Sequence, residues 1–206
     1  MSETRRIFIA VPLMGQGMAN VHAAYERQAR TVIEEHSPHA IWKPEQAGSH
    51  VTLRFVGDVP AGETLELLYD LVRDAVGQHP PFIIALGGKA VWQTDERLVL
   101  WVGVGGQETH LAALAHDVSA AVVGAGYQSL RYDFVGHFTI GRVTVPNPAT
   151  AELIGQRWSE HPDPAGAGVP YMVKEAGMYA SEIMLNGSIV YVRVGQPMRL
   201  DPALLS

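Results

Sequence analysis

Cysteine is absent from the 206-residue chain, which rules out disulfides, thiolate nucleophiles and cysteine-ligated zinc. No uninterrupted apolar run is long enough to span a bilayer. Basic charge is scarce: Lys and Arg total 15 against 21 Asp and Glu, a formal net charge of −6. That argues against a surface tracking long nucleic acid, which neutralises many phosphates at once, but leaves room for a local positive pocket around one phosphate. The glycines form neither a dinucleotide fingerprint nor a phosphate loop with its lysine, and Gly103-Val104-Gly105-Gly106 reads as a strand end and turn. A soluble, cytoplasmic, monomeric protein with no membrane partner is expected.

What is present is a composition 47% hydrophobic, enough for a core in one domain or two compact lobes. Residues 6–11 read as a strand ended by Pro12. Asn20 is placed to cap a helix over 21–35, where Val21, Tyr25, Ala29, Val32 and Ile33 recur at helical spacing. A connector over 36–49 precedes a strand from His50 to about Gly57, and a second helix follows over 63–76. Phe82–Leu86 reads as a strand, Gly87-Gly88 as a turn and Leu98–Val104 as another strand; a helix over 109–123 stops at Gly124 and Gly126. Asn147-Pro148 starts a helix through Trp158. Residues 161–170, rich in Pro, Gly and Ala, form a loop before strands at 171–179 and 183–194, the latter turning at Asn186-Gly187.

Two strands carry one signature: His50-Val51-Thr52-Leu53 in HVTLRFVG and His137-Phe138-Thr139-Ile140 in HFTIGR. Alternation sets His and Thr on one face and the apolar residues on the other, so each strand offers an imidazole and a hydroxyl while anchoring itself in a core. The histidines lie 87 residues apart (137 − 50). This spacing and the recurring order of strand, helix and His strand suggest an internal duplication. Hairpin-linked strands mixed with helices favour an α+β class. We expect a single bilobal unit over 1–206, with a lobe junction near 87–97 and a strand exchanged between lobes.

A pair of imidazoles suits acid and base catalysis on opposite sides of one bond, because histidine titrates near neutrality, at about 6.5. From spacing alone Thr52 and Thr139 are as much strand formers as phosphate donors. Arg54 follows the parity of His50 and points into the groove if the strand stays regular; Arg142 has the opposite parity from His137 and reaches it only if the strand twists near Gly141. Trp42, Phe8, Tyr132 and Tyr179 are candidates for stacking on a base. The seven other histidines lie mainly in expected helices and loops, without carboxylates at metal-binding spacing, so neither a metal nor a cofactor is expected.

The paired motifs resemble those of the two-histidine phosphoesterase superfamily, specifically its RNA 2′,3′-cyclic phosphodiesterases, also called 2′-5′ RNA ligases. The resemblance runs through RRIFIAVPL, WKPEQAGSHVTLRFVGDV, LVLWVGV and MYASEIMLNGSIVYVRV. Departures are Ala47-Gly48-Ser49 ahead of His50, in place of an Asn-Leu lead-in, and Gly136 where proline is common. The resemblance implies two pseudo-symmetric lobes whose curved antiparallel sheets face each other across a central groove, with helices outside. It implies metal-independent opening of a cyclic phosphate to a 2′-phosphate, with His50 as acid, His137 as base, Thr52, Thr139 and Arg142 on the phosphate, and Ser181 near the groove. The reverse reaction would join RNA ends. Another small cyclic phosphodiester, a 2′-5′ oligonucleotide, or plain binding of an RNA end remain open alternatives.

Overall fold

A computed structural model of the chain describes residues 4–45, 48–128, 133–185 and 188–205. Its strands are β1 (Thr4–Pro12), β2 (Ile41–Pro44), β3 (His50–Pro60), β4 (Phe82–Thr94), β5 (Arg97–Gly106), β6 (His137–Thr144), β7 (Tyr171–Val173), β8 (Glu175–Ile183) and β9 (Ile189–Arg199). Its helices are α1 (Gln16–His36), α2 (Glu63–Val76), α3 (Glu108–Gly124) and α4 (Pro148–Glu160). No helix among the described residues is long and apolar enough to cross a membrane.

The α+β class holds, and the strands join one antiparallel sheet in the order β7-β4-β5-β6-β3-β1-β8-β9, with β2 added to β6. Its two halves meet where β3 and β6 pair at Val51 and Phe138. Helices α2 and α3 pack on the β3-β1-β8-β9 half, and α1 and α4 on the β4-β5-β6 half. They cover the face that carries Ile7, Ile9, Val11, Val51, Leu98, Leu100, Val102 and Phe138, all buried in one core cluster. Removing this apolar face from water is the main driving force for the fold.

Several expected boundaries move. Helix α1 begins at Gln16, not after Asn20, because Gly15 takes φ 98 and frees the chain to turn straight out of β1. The Gly87-Gly88 pair does not end a strand. It sits in a bulge between Leu86 and Lys89, and β4 runs on to Thr94, turning at Asp95 and Glu96. Residues 87–97 therefore fall inside the β4–β5 pair and not at a junction. The chain crosses between halves elsewhere, as at Lys174 between β7 and β8. Four connector residues form β2. The loop at 161–170 is tied down by buried Lys89, whose Nζ donates to the Pro162 carbonyl at 2.8 Å and to Gln28 Oε1 at 3.2 Å. Asn186-Gly187 lies outside the described residues.

Candidate active site

The two His-x-Thr strands meet at the seam of the sheet. Extending the Val51–Phe138 pairing by one residue each way faces His50 with Thr139 and Thr52 with His137. Val51 and Phe138 point into the core, so alternation turns these four side chains to the opposite face. Each imidazole thus lies beside the other motif's hydroxyl.

Both rings are oriented in the same way. His50 Nδ1 lies 2.9 Å from the Gly48 carbonyl, and His137 Nδ1 lies 2.8 Å from the Val135 carbonyl, two residues upstream in each case. A carbonyl only accepts, so Nδ1 carries the hydrogen and the neutral ring keeps Nε2 as its acceptor. Aromatic rings hold the imidazoles in place: Phe8 at 5.3 Å and Tyr191 at 5.2 Å around His50, Trp92 at 4.4 Å and Trp101 at 5.9 Å around His137.

A bulge follows each motif at the same position. Register steps from Thr52↔Ala10 to Arg54↔Ile9, leaving Leu53 unpaired, and from Thr139↔Trp101 to Gly141↔Leu100, leaving Ile140 unpaired. One extra residue reverses the alternation beyond it. Arg142 is thereby opposite Val99, on the face of Trp101, and joins the histidines. Arg54 is opposite core residue Ile9 instead of on the Thr52 face; it is 3% exposed and its Nη2 donates to the Gln128 carbonyl. Its expected groove position goes to Phe55, opposite Phe8 and 64% exposed.

Arg142 is met by a residue that sequence reasoning passed over. Glu45 Oε2 accepts from Arg142 Nη1 at 3.1 Å, and Glu45 Oε1 accepts from the Tyr191 hydroxyl at 3.2 Å. Burial lowers the pKa of both His50 and His137. The Gly48 hydrogen bond and the Glu45 charge oppose this at His50, where Arg142 adds to it. At His137 the Val135 bond opposes it and the neighbouring His50 adds to it. Tyr191 is pushed up to about 12, by burial first and then by Glu45.

Two cavities flank the histidines. The larger, about 480 Å³, opens where β3 and β6 diverge and is lined by Thr52, Phe55, Trp92, Phe134, Val135 and His137 among others. The smaller, about 280 Å³, lies beside His50 against Ser49, Tyr179, Tyr191 and Arg193. Phe8 is buried under His50, Phe55, Tyr179 and Tyr191, so it is a platform and not an open stacking face. Tyr179 stacks on Phe8 at 5.4 Å and accepts from Arg193 Nη2 at 3.2 Å. Ser181 sits on β8 between Arg6 and Tyr191. Trp42 lies on β2 opposite Val143, its ring against Gly141. Tyr132 is outside the described residues. Among those described, no three His, Asp or Glu side chains are grouped to hold a metal ion.

The sequence model of the 2′-5′ RNA ligase superfamily matches residues 23–170. An RNA 2′,3′-cyclic phosphodiesterase of Geobacillus stearothermophilus is 31% identical over 137 residues, covering 66% of this chain and 41% of its own length. A protein of the same name from Archaeoglobus fulgidus is 27% identical over 157 residues, covering 75% of this chain and 82% of its own. Among solved structures, one called a phosphoesterase superposes with a TM-score of 0.69 at 24% identity, covering 97% of this chain and 99% of that one. E. coli LigT in complex with 3′-AMP does so with a TM-score of 0.67 at 24% identity, covering 96% and 99%. These last likenesses are of fold.

Proposed function

The chain belongs to the 2′-5′ RNA ligase superfamily, and from that premise we propose that it hydrolyses a 2′,3′-cyclic phosphate at an RNA or nucleotide end to a 2′-phosphate. The observation that supports this most directly is the pair of imidazoles on one sheet face, each tied back through Nδ1 with Nε2 left for chemistry. His137 takes a proton from water as its oxygen attacks phosphorus. The 3′ oxygen leaves and receives the proton of His50, so the two rings exchange protonation states over one turnover. Thr52 and Thr139 donate to the nonbridging oxygens, where negative charge builds, and Arg142 adds a fixed positive charge. Both proton transfers are met by imidazole, so the mechanism calls for no metal.

Two features support this order of roles. A carboxylate and an arginine bracket His50, whereas His137 is walled by Trp92 and Trp101 and feels the charge of His50, which favours its neutral form. The cavity beside His137 has the volume of a small-molecule site and far exceeds one water. On the attacking side it fits a nucleoside bearing a 5′ hydroxyl, which supports 2′-5′ ligation at the same centre, the hydroxyl attacking phosphorus in place of water as the 3′ oxygen leaves. The nucleotide of the LigT complex agrees in kind with such a substrate.

The test is hydrolysis of a short RNA ending in a 2′,3′-cyclic phosphate, with chelator present and the position of the product phosphate determined. Wild type should give a 2′-phosphate, and His50→Ala and His137→Ala should each lose it while still binding RNA ends. No product from folded wild type would point to a different cyclic diester.

A further inference from the structure

We propose that Glu45 is the positioning residue that prepares His50 for its role as acid, an inference that rests on the reaction proposed above. Glu45 follows β2, and its backbone and carboxylate are both engaged. Its N–H donates to the carbonyl of Ile140 at 2.9 Å, the bulge residue of the second motif. Its two oxygens are shared between Arg142 on β6 and Tyr191 on β9, at 3.1 and 3.2 Å. The Glu45 side chain is only 7% exposed, against 58% for Arg142. A buried carboxylate needs its partners, so the better-shielded member of the pair holds the more exposed one.

What Glu45 holds is the surroundings of His50. The Tyr191 ring stands edge-on to the imidazole at 5.2 Å, and its hydroxyl is anchored on Glu45. The charged and titratable groups that face His50 are Arg142 and His137 from β6, Tyr191 and Arg193 from β9, Tyr179 from β8 and Glu45 from the β2–β3 connection. From β1 come Phe8 and Pro12, and α1 brings His22, which bonds Ser49 at 3.0 Å. Glu175, paired with Arg193 at 3.3 Å, is not among the charges that act on His50, whereas Glu45 is. Among the described residues Glu45 is thus the carboxylate left to favour a protonated His50, and it also offsets the opposing charge of Arg142. It touches no reacting atom and acts on His50 through its charge and through Arg142 and Tyr191.

Glu45→Gln keeps the shape and removes the charge. Against a cyclic-phosphate RNA, the alkaline limb of its kcat/KM profile, set by loss of the His50 proton, should move down by about one pH unit, the lower end of what an adjacent charge produces. Activity should fall about tenfold at pH 8, following that one-unit shift, and by progressively less as the pH is lowered through the limb. Glu45→Asp should return the limb toward wild type. Should E45Q fail to fold, Arg142→Met, which removes the opposing cation, should move the limb upward. NMR titration of the His50 ring runs alongside and needs no turnover. A limb and ring titration unchanged in folded E45Q, or a loss equal at every pH, overturns the role of Glu45 while leaving the hydrolase reading intact. Wild type without turnover overturns that reading, and the ring titration then still decides whether Glu45 acts on His50.

Discussion

Phe55 and Arg142 are counterparts: each is the fifth residue after its histidine, and each is brought to the histidine face by a bulge at the residue following the threonine. The two motifs are therefore alike in backbone and opposite in what they deliver, an aromatic face on the His137 cavity and a guanidinium on the Glu45 side. One position in each motif strand gives two strands of like backbone different chemistries.

Phe55→Ala tests the aromatic side. Phe55 is exposed, so its loss costs little stability, but a base resting on it loses a stacking partner worth roughly 1–3 kcal/mol. We expect KM for a 5′-hydroxyl acceptor in ligation to rise about thirtyfold, a mid-range conversion of that energy, with hydrolysis of a cyclic mononucleotide changed much less. Equal loss in both reactions would place the acceptor elsewhere.

Thr52→Val and Thr139→Val test the crossed arrangement of the four motif side chains. Valine preserves volume and strand preference and removes only the hydroxyl. Each change should lower kcat by about a hundredfold, the usual effect of losing one donor to developing negative charge, with KM little altered. A change confined to KM would mean that the hydroxyls bind the ground state only.

Much of this site was legible before the fold was known, and the illegible part has a single cause. The shared face of His and Thr in each motif and the buried face behind it follow from alternation, which needs only regular strands, and the α+β class follows from hairpin-linked strands mixed with helices. Arg54 leaves the groove position that a regular strand would give it, and Arg142 reaches the histidine face through the irregularity near Gly141 that its parity required: the bulges at Leu53 and Ile140 exchange the faces beyond them. Nothing in Leu or Ile announces a bulge. Glu45 was missed for another reason: it lies one residue past a strand of four residues that, among the described residues, pairs with β6, too short for periodicity to register. Trp92 was hidden by the reading of Gly87-Gly88 as a turn, which cut β4 short of it.

Acid should destabilise the protein before carboxylates protonate. His22, His50 and His137 are all held below 6.5, chiefly by burial. Between their lowered folded values and the unfolded value of about 6.5 the unfolded chain binds more protons, so stability rises with pH through that window and is lost as pH falls through it. Thermal unfolding should show Tm falling as the buffer goes from pH 7 to pH 5. His137→Asn should flatten this slope by its share, because the amide does not titrate. A Tm that rises toward pH 5 would contradict the burial of these rings.

Gly141→Ala tests whether β2 delivers Glu45 to the site. Gly141 pairs with Pro44 and lies directly before Arg142. A methyl group there would lie 2.7 Å from the Lys43 carbonyl and against the Trp42 ring, in space that backbone cannot yield without moving. Among the described residues strand β2 is held in the sheet by β6 alone, so β2 is the element that shifts, and Glu45, one residue beyond it, shifts with it. Overpacking of this kind costs about 1–3 kcal/mol, seen as a lowered Tm. The informative comparison is Gly106→Ala, where a Cβ would lie 3.0 Å from the Ile83 carbonyl at a positive φ, away from the histidines. Both variants should lose stability, but only G141A should also move the alkaline limb of the pH profile downward, as E45Q does. If G141A lowers Tm with the limb in place, Glu45 keeps its contacts when β2 moves, and its position is set by Ile140, Arg142 and Tyr191 alone.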